Sequence, residues 1–400
     1  MAILAFAIDP VFTNILFTLN LWPHLKRSSS ESAFESPSAL TRFPTVTVLL
    51  AMYKEPDKAV ERTVRSLEAQ SYPDDKMEIV YILEPDDQQT KIPQLSRPIK
   101  TTILRSDGKS RLKAHALNKA LEVATGEIVV VYDADDQIDS DQIVKGVNLM
   151  EEKGYDVVQP RIIRKSGKLK IGRLFELDNF VWNQRILPFF RSTIGSFPLS
   201  GEGLFNRRRV LDEVGGYPEV LTEDAYMALL LSERGKKFGL LDSDVVEEQP
   251  KSTMGHFRQR VRWFRGYLTC LRKLARAELS TRTKVLYCIA FLAPITCALS
   301  IISWIFIGIY WTTWAVMSPS FLAPWMNNSL YSNGLIYWGV ALAYLGNALI
   351  IFNTARAIMD TKYEHLAPST LLAPLYWFFL GIAAIASFFR GTRVFGRTER

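Results

Sequence analysis

From residue 45 the chain alternates short β-branched runs with helical stretches, and no other feature constrains its fold as tightly. T-V-T-V-L-L-A (45–51) precedes a polar helical stretch at 57–70, then M-E-I-V-Y-I-L (77–83) and K-T-T-I-L (100–104). A helix is predicted over about 111–124, and after Gly126 the run I-V-V-V-Y-D-A-D-D (128–136) ends in three carboxylates. Near-continuous apolar strands alternating with helices predict an α/β domain on a mainly parallel sheet. Ligands of such sheets bind at the carboxyl ends of strands, where Asp133, Asp135 and Asp136 fall.

Charge is distributed unevenly along the 400 residues. Residues 45–280 mix charged and apolar side chains, whereas 283–316, 334–355 and 366–389 contain very few charges. The formal net charge is +7, and the excess of Arg and Lys over Asp and Glu lies after residue 250. A basic chain flanked by apolar spans predicts an anionic membrane surface or an anionic substrate. Nucleic acid is disfavoured, because no basic, aromatic-interleaved groove appears. Cys270, Cys288 and Cys297 are odd in number and two sit in an apolar span, which argues against a disulfide framework or a zinc site. The four histidines show no metal-ligand spacing. Any metal is therefore expected to be a hard cation held by carboxylate oxygens.

Two carboxylates in D-A-D (133–135) at a strand end suit one divalent cation bridging to a diphosphate, although acids also end strands for purely local reasons. The motif does not stand alone. L-T-E-D-A-Y (221–226) and G-H-F-R-Q-R-V-R-W (255–263) follow it. On a helix Gln259, Arg262 and Trp263 share one face. That face carries an amide, a guanidinium suited to phosphate and an aromatic plane suited to a sugar ring. Trp263 also reads as an interfacial anchor, and Asp224 as a helix N-terminal carboxylate with Thr222 as the cap.

With D-x-D, T-E-D and Q-x-x-R-W in this order, the chain resembles the membrane-embedded, inverting family-2 glycosyltransferases: cellulose synthase, hyaluronan synthase and bacterial glucan synthases. The resemblance covers most of 45–400. It implies a GT-A nucleotide-sugar-binding domain, a UDP-sugar donor and Mg²⁺ or Mn²⁺ at Asp133 and Asp135. Y-K-E-P (53–56) resembles the Y-N-E-P turn and implies Tyr53 and Glu55 around the base. I-L-E-P-D-D-Q-Q-T (82–90) departs from L-D-D-G-x-T-D, so the uridine-binding acid is assigned to Glu84, with Asp86 second. K-A-H-A-L-N (113–118) implies Lys113 on the donor phosphates, and P-L-S-G-E-G (198–203) implies Ser200 and Gly201 at the acceptor.

Inverting transfer needs a base on the acceptor hydroxyl and a stabiliser for the departing diphosphate. The resemblance implies Asp224 as base, beside Glu223, with Gln259 and Arg262 at the donor and Trp263 at the acceptor. Asp136 is left as an outer residue without a firm role. The tail F-G-R-T-E-R (395–400) has the spacing of the F-x-V-T-x-K gating loop, which implies Thr398 and Arg400 over the nucleotide. A basic tail is equally a cytoplasmic positive-inside signal.

The expected organisation runs from an anchor or interfacial helix (1–22) and a linker (23–42) to a cytoplasmic catalytic domain (43–255). Bilayer crossing needs roughly 20 apolar residues. Residues 1–22 lack the basic region and cleavage site of a signal peptide. An interfacial helix carrying Q-x-x-R-W (256–282) is expected to lead into transmembrane segments at 283–316 and 334–356. Residues 366–389, interrupted by Pro368 and Pro374, are expected in the interface, ahead of the tail at 390–400. The aromatic, basic stretch Arg173–Pro188 reads as either interfacial or core-facing. The expected enzyme is a processive plasma-membrane synthase that adds sugar, by resemblance glucose, to a β-linked polysaccharide. Membrane lipids are expected partners, and accessory or homo-oligomeric subunits are compatible with this reading. Single transfer to a lipid acceptor is the alternative, and a non-catalytic membrane scaffold or transporter is a third reading.

Overall fold

The computed structural model describes residues 33–37, 42–165, 170–301, 305, 348, 351–356, 358–359 and 361–389. The expectations for 1–22, for most of 23–42, for much of the segments at 283–316 and 334–356, and for the tail, including Phe395, Thr398 and Arg400, lie outside the described residues.

The strands are β1 (Val46–Met52), β2 (Met77–Leu83), β3 (Lys100–Arg105), β4 (Ile128–Asp133), β5 (Gln137–Ile138), β6 (Val157–Lys165), β7 (Leu204–Arg207) and β8 (Phe238–Glu248). They form one sheet in the order β3-β2-β1-β4-β7-β6-β8-β5. The β1/β2, β1/β4, β2/β3 and β6/β8 pairs are parallel. β7 runs antiparallel to both β4 and β6, and β5 antiparallel to β8. It follows that β1, β2, β4, β6 and β8 all end on the edge where β7 begins.

Period-2 alternation sends strand side chains into two cores, one on each face. Val46, Val48, Leu50, Ile79 and Val130 pack with residues of α1 (Asp57–Glu68), such as Val64, and of a helix at Gln142–Lys153, such as Val147. Leu49, Val80, Val129 and Val131 pack on the opposite face with α2 (Lys113–Leu121). Each fully buried aliphatic side chain contributes about 1.5–3 kcal/mol. Two apolar faces alone would tolerate a one-residue slip of register. A buried polar node opposes it: Glu78 accepts hydrogen bonds from Thr47 Oγ1 (2.6 Å), the Thr125 amide (2.6 Å) and Lys100 Nζ (2.7 Å). Burial works to raise the pKa of Glu78, but Lys100 and these donors bring it down to about 2.

With Gln142–Lys153 as α3, the later helices are α4 (Lys170–Val181), α5 (Leu187–Ile194), α6 (Arg208–Val214), α7 (Glu223–Glu233), α8 (Thr253–Arg276), α9 (Thr281–Phe291) and α10 (Ala373–Phe389). The stretch Arg173–Pro188 takes the core-facing option. Phe175 packs with Phe264 of α8 and Leu380 of α10, and Phe180 with Tyr363 and Leu366. A π-helical turn at Trp182–Ile186 links α4 to α5. The predicted unit 256–282 divides, because α8 ends at Arg276 and Ser280 caps α9 by accepting the Thr283 amide.

α9 breaks after Phe291, and the next helix, Ala293–Ile301, leaves at 45°. Among the described residues, Glu364–Phe389 is one unbroken helical segment of 26 residues, long and apolar enough to cross a bilayer. Pro368 sits in its 3₁₀ first part and Pro374 in the first turn of α10, so neither proline interrupts it. Leu375, Phe378, Ile382 and Phe389 on α10 are exposed, while its opposite face packs on α4 and α8.

Candidate active site

The strand ends meet at a cleft of about 250 Å³. Asp133 closes β4 and is held in a tight turn by Asp136. The Asp133 amide donates to Asp136 Oδ2 (2.8 Å), and the Asp136 amide donates back to the Asp133 carbonyl (3.2 Å). Burial, with Asp133 and Glu202 nearby, pushes the fully buried Asp136 well above the carboxylate range. The carboxylate without an assigned role is thus the one that shapes the loop. Asp135 lines an adjoining recess with Glu55, Arg62, Glu248 and Lys251.

Lys113, the first residue of α2, forms an ion pair with Asp133 and donates to the Gly201 carbonyl (3.2 Å). Burial disfavours its ammonium, but Asp133, Glu223 and Glu202 more than offset that and keep its pKa above the ordinary lysine value. At the rim, Tyr53 donates to Asp86 (3.0 Å) and accepts from Arg111 (2.8 Å), which also pairs with Asp86 (3.3 Å). Burial raises the pKa of Glu84 against the opposing hydrogen bond from Ser106 Oγ (3.0 Å).

The loop into β7 forms the floor. Gly203 has φ +64°, a left-handed conformation that favours glycine, and a Cβ there would lie 2.7 Å from Pro160. A Cβ on Gly201 would lie 3.3 Å from Lys113 Nζ and 3.5 Å from Asp224 Oδ2. Ser200 is tied back through its amide to Gln159 (2.8 Å) and does not line the cleft. Glu202, between the two glycines, meets Asp133 and Glu247. Oxygens of these three carboxylates all lie within 4.8 Å of one another. Arg164 bonds both Glu202 (2.8 Å) and Glu247. Burial, with Glu202 and Asp133, pushes Glu247 up to about 7 in spite of Arg164. Glu202 Oε2 is buried and has no hydrogen-bond partner among the described residues. An all-carboxylate set with an orphaned oxygen suits a hard divalent cation.

α7 supplies Glu223 and Asp224. The predicted Thr222 cap is not made: its side chain accepts no capping bond, and its hydroxyl lies 3.7 Å from Cys270 Sγ on α8. Asp224 Oδ1 instead accepts the Ala225 amide (2.7 Å). Burial, then Glu223 and Glu202, pushes Asp224 up to about 8, and burial raises Glu223 too, against Lys113. α8 approaches the T-E-D turn through Gly266, where any Cβ would overlap Thr222. Arg262 and Trp263 of α8 line the cleft, and Gln259 is buried one turn earlier.

Of the residues singled out by sequence, Tyr53, Glu55, Glu84, Lys113, Asp133, Gly201, Glu223, Asp224, Arg262 and Trp263 line this one cleft. Asp86 stands at its rim through Tyr53. Sequence reasoning passed over Arg111, Arg164, Glu202 and Glu247. Glu202 was within reach, inside P-L-S-G-E-G, whereas Arg164 and Glu247 sit in strands with no spacing signal.

The sequence matches glycosyl transferase family group 2 over residues 128–389. It is 29% identical over 235 residues to a beta-monoglucosyldiacylglycerol synthase of Trichormus variabilis, covering 56% of this chain and 49% of that protein. It is also 29% identical over 246 residues to a UDP-forming cellulose synthase catalytic subunit of Pseudomonas fluorescens, covering 56% and 31%. The chain therefore spans about half the length of the first of these curated relatives and less of the second. Its fold matches the mannosyltransferase PcManGT of Pyrobaculum calidifontis, solved with GDP-Man and Mn²⁺, with a TM-score of 0.60 at 22% identity, covering 92% of this chain and 99% of that one.

Proposed function

The chain belongs to glycosyl transferase family group 2 and is a glycosyltransferase of the GT-A fold, and from that premise we propose that it transfers glucose from UDP-glucose, with inversion, to the growing end of a β-linked polysaccharide at the membrane. The observation that carries this reading is the convergence of Lys113, Asp133, Asp224 and Arg262 on one cleft floored by Gly201. An inverting reaction needs a base on one side of the anomeric carbon and positive charge on the other.

Asp224 takes the proton of the acceptor hydroxyl, and its elevated pKa makes it a stronger base than an ordinary aspartate. Glu223 beside it sustains that elevation. Lys113 and Arg262 receive the negative charge of the departing diphosphate, with Gln259 supporting Arg262 from the same helix face. Tyr53, Glu55, Glu84 and Asp86 take the nucleoside. Trp263 stacks on the acceptor sugar, next to Gly201. The carboxylates that converge on Asp133 are Glu202 and Glu247 rather than Asp135, so these three would hold Mg²⁺ or Mn²⁺. When bound, that ion supplies charge neutralisation at the diphosphate.

α8, which carries Trp263, packs its other face on α10, and the exposed side of α10 is apolar. This supports an acceptor handled beside a membrane, and our reading takes it to be the cytoplasmic side of the plasma membrane. A second reading is single transfer to a lipid acceptor. The relatives named beta-monoglucosyldiacylglycerol synthase and the apolar face beside the Trp263 helix favour it. Product sizing after incubation with labelled UDP-glucose in diacylglycerol-containing vesicles separates the two. A ladder of lengthening products supports the synthase, and a single glucose per lipid replaces it with the second reading.

A further inference from the structure

Trp263 is flanked by two guanidinium groups. Arg260, three residues earlier on α8, lies 4.5 Å from the indole centroid, and Arg164, near the end of β6, lies 4.9 Å from it. Each is anchored by carboxylates, but in opposite directions. Arg164 is tied to Glu202 and Glu247, at the Asp133 end of the cleft. Arg260 is tied to Asp178 Oδ2 on α4 at 2.5 Å. The same oxygen accepts the hydroxyl of Tyr376 on α10 at 3.1 Å. The arrangement is packed as well as bonded: the Arg260 guanidinium lies 4.7 Å from the ring centre of Phe175, and that ring meets Tyr376 edge-on at 5.2 Å. The Arg260 side chain is only 12% exposed while that of Asp178 is 36% exposed, so water reaches the pair from the Asp178 side alone.

We infer that Arg260, Asp178 and Tyr376 are positioning residues for the acceptor, holding the Trp263 plane at the cleft and coupling its placement to the seating of α10. This rests on the reading of Trp263 as the acceptor platform. An indole whose plane is fixed by two packed guanidinium groups is already oriented before a sugar meets it, so less rotational freedom is lost on binding. Asp178 is the pivot because one oxygen serves both Arg260 and Tyr376. A shift of α10 at the membrane is thereby transmitted to the acceptor end of the cleft, while the donor end stays anchored through Arg164.

The test uses full-length protein in phosphatidylcholine vesicles with UDP-glucose and either cellopentaose or dioleoylglycerol as acceptor. Asp178→Asn, Tyr376→Phe and Arg260→Lys are compared with wild type. Each variant is expected to raise the acceptor KM roughly three- to tenfold, leaving donor KM and acceptor-independent UDP-glucose hydrolysis unchanged. Asp178→Asn combined with Tyr376→Phe should be no worse than Asp178→Asn alone, because both act through one oxygen. Tyr376→Phe removes a single atom and keeps the ring, so it guards against a result caused by misfolding. An unchanged acceptor KM overturns the inference. So does a parallel loss of donor binding and hydrolysis, which is the mark of general structural damage. Wild-type protein that uses neither acceptor overturns the functional reading itself, a result separable from both.

Discussion

Replacing Glu223 with Gln should move the acid limb of the pH–rate profile to lower pH. Asp224 titrates at about 8 instead of 3.8, because burial disfavours its charge and Glu223 and then Glu202 add like charge. At pH 7 only about a tenth of the free protein then carries the base form, by the titration equation. Below about pH 8 the rate should therefore climb tenfold per unit, then level off. Asp224 Oδ2 and Glu223 Oε1 lie 3.5 Å and 3.7 Å from one point, the position a Cβ on Gly201 would take. They are therefore at most about 7 Å apart, and at an effective dielectric of about 20 they repel by at least about 2.4 kcal/mol, or about 1.7 pH units. Glu223 is itself raised and incompletely charged, so the shift on its removal should be about 1–2 units. The assay is kcat/KM for the donor at acceptor well below its KM, from about pH 5.5 to 9.5, which reports groups of the free enzyme. A midpoint unmoved in Glu223→Gln refutes the pairing of these carboxylates. A wild-type profile that is flat across this range refutes titration of Asp224 in the rate.

Gly266→Ala forces a methyl into Thr222 and pushes α8 off the T-E-D turn. Overpacking of this kind costs about 1–3 kcal/mol, so both Tm and kcat should fall, and a variant normal in both contradicts the close approach. Glu202→Gln should weaken Mn²⁺ binding at least about tenfold by calorimetry, and EDTA should abolish UDP release; undiminished affinity, or release insensitive to EDTA, removes the ion from the account. Glu78→Ala should lower unfolding free energy by about 2–3 kcal/mol at neutral pH, since it strands buried donors. Its folded pKa of about 2 lies below the unfolded value of 4.5. The carboxylate's stabilisation is then complete above about pH 5 and lost as pH falls through about 2, so the deficit of Glu78→Ala in urea denaturation should shrink across that window.

β1, β2 and β4 were legible because each is a nearly unbroken apolar run, and β2 and β3 begin where the pattern begins. The short or charged runs of β5 to β8 carried no such signal. Helix ends were less legible: the stretch expected at 111–124 starts at Lys113, where Leu112 is still extended. Asp133, Asp224, Arg262 and Trp263 were singled out by the D-x-D, T-E-D and Q-x-x-R-W motifs, and all four line one cleft. Pairing Asp133 with Asp135 relied on spacing in sequence, yet a tight turn sends neighbouring carboxylates to different recesses. The partners that do converge, Glu202 and Glu247, come from the loop before β7 and the end of β8, 69 and 114 positions away. Only the antiparallel insertion of β7 between β4 and β6 brings them together. Asp178 and Tyr376 were invisible for the same reason, being joined across 198 residues.

The central claim is that this cleft transfers glucose from UDP-glucose with Asp224 as its base. Purified protein in vesicles is incubated with a panel of radiolabelled UDP-sugars and Mn²⁺, alongside Asp224→Asn, and incorporated label is counted in polymer and lipid fractions. Label from UDP-glucose, lost at least about a hundredfold in Asp224→Asn, is the predicted result. Incorporation from none of the sugars, or undiminished incorporation by Asp224→Asn, contradicts it.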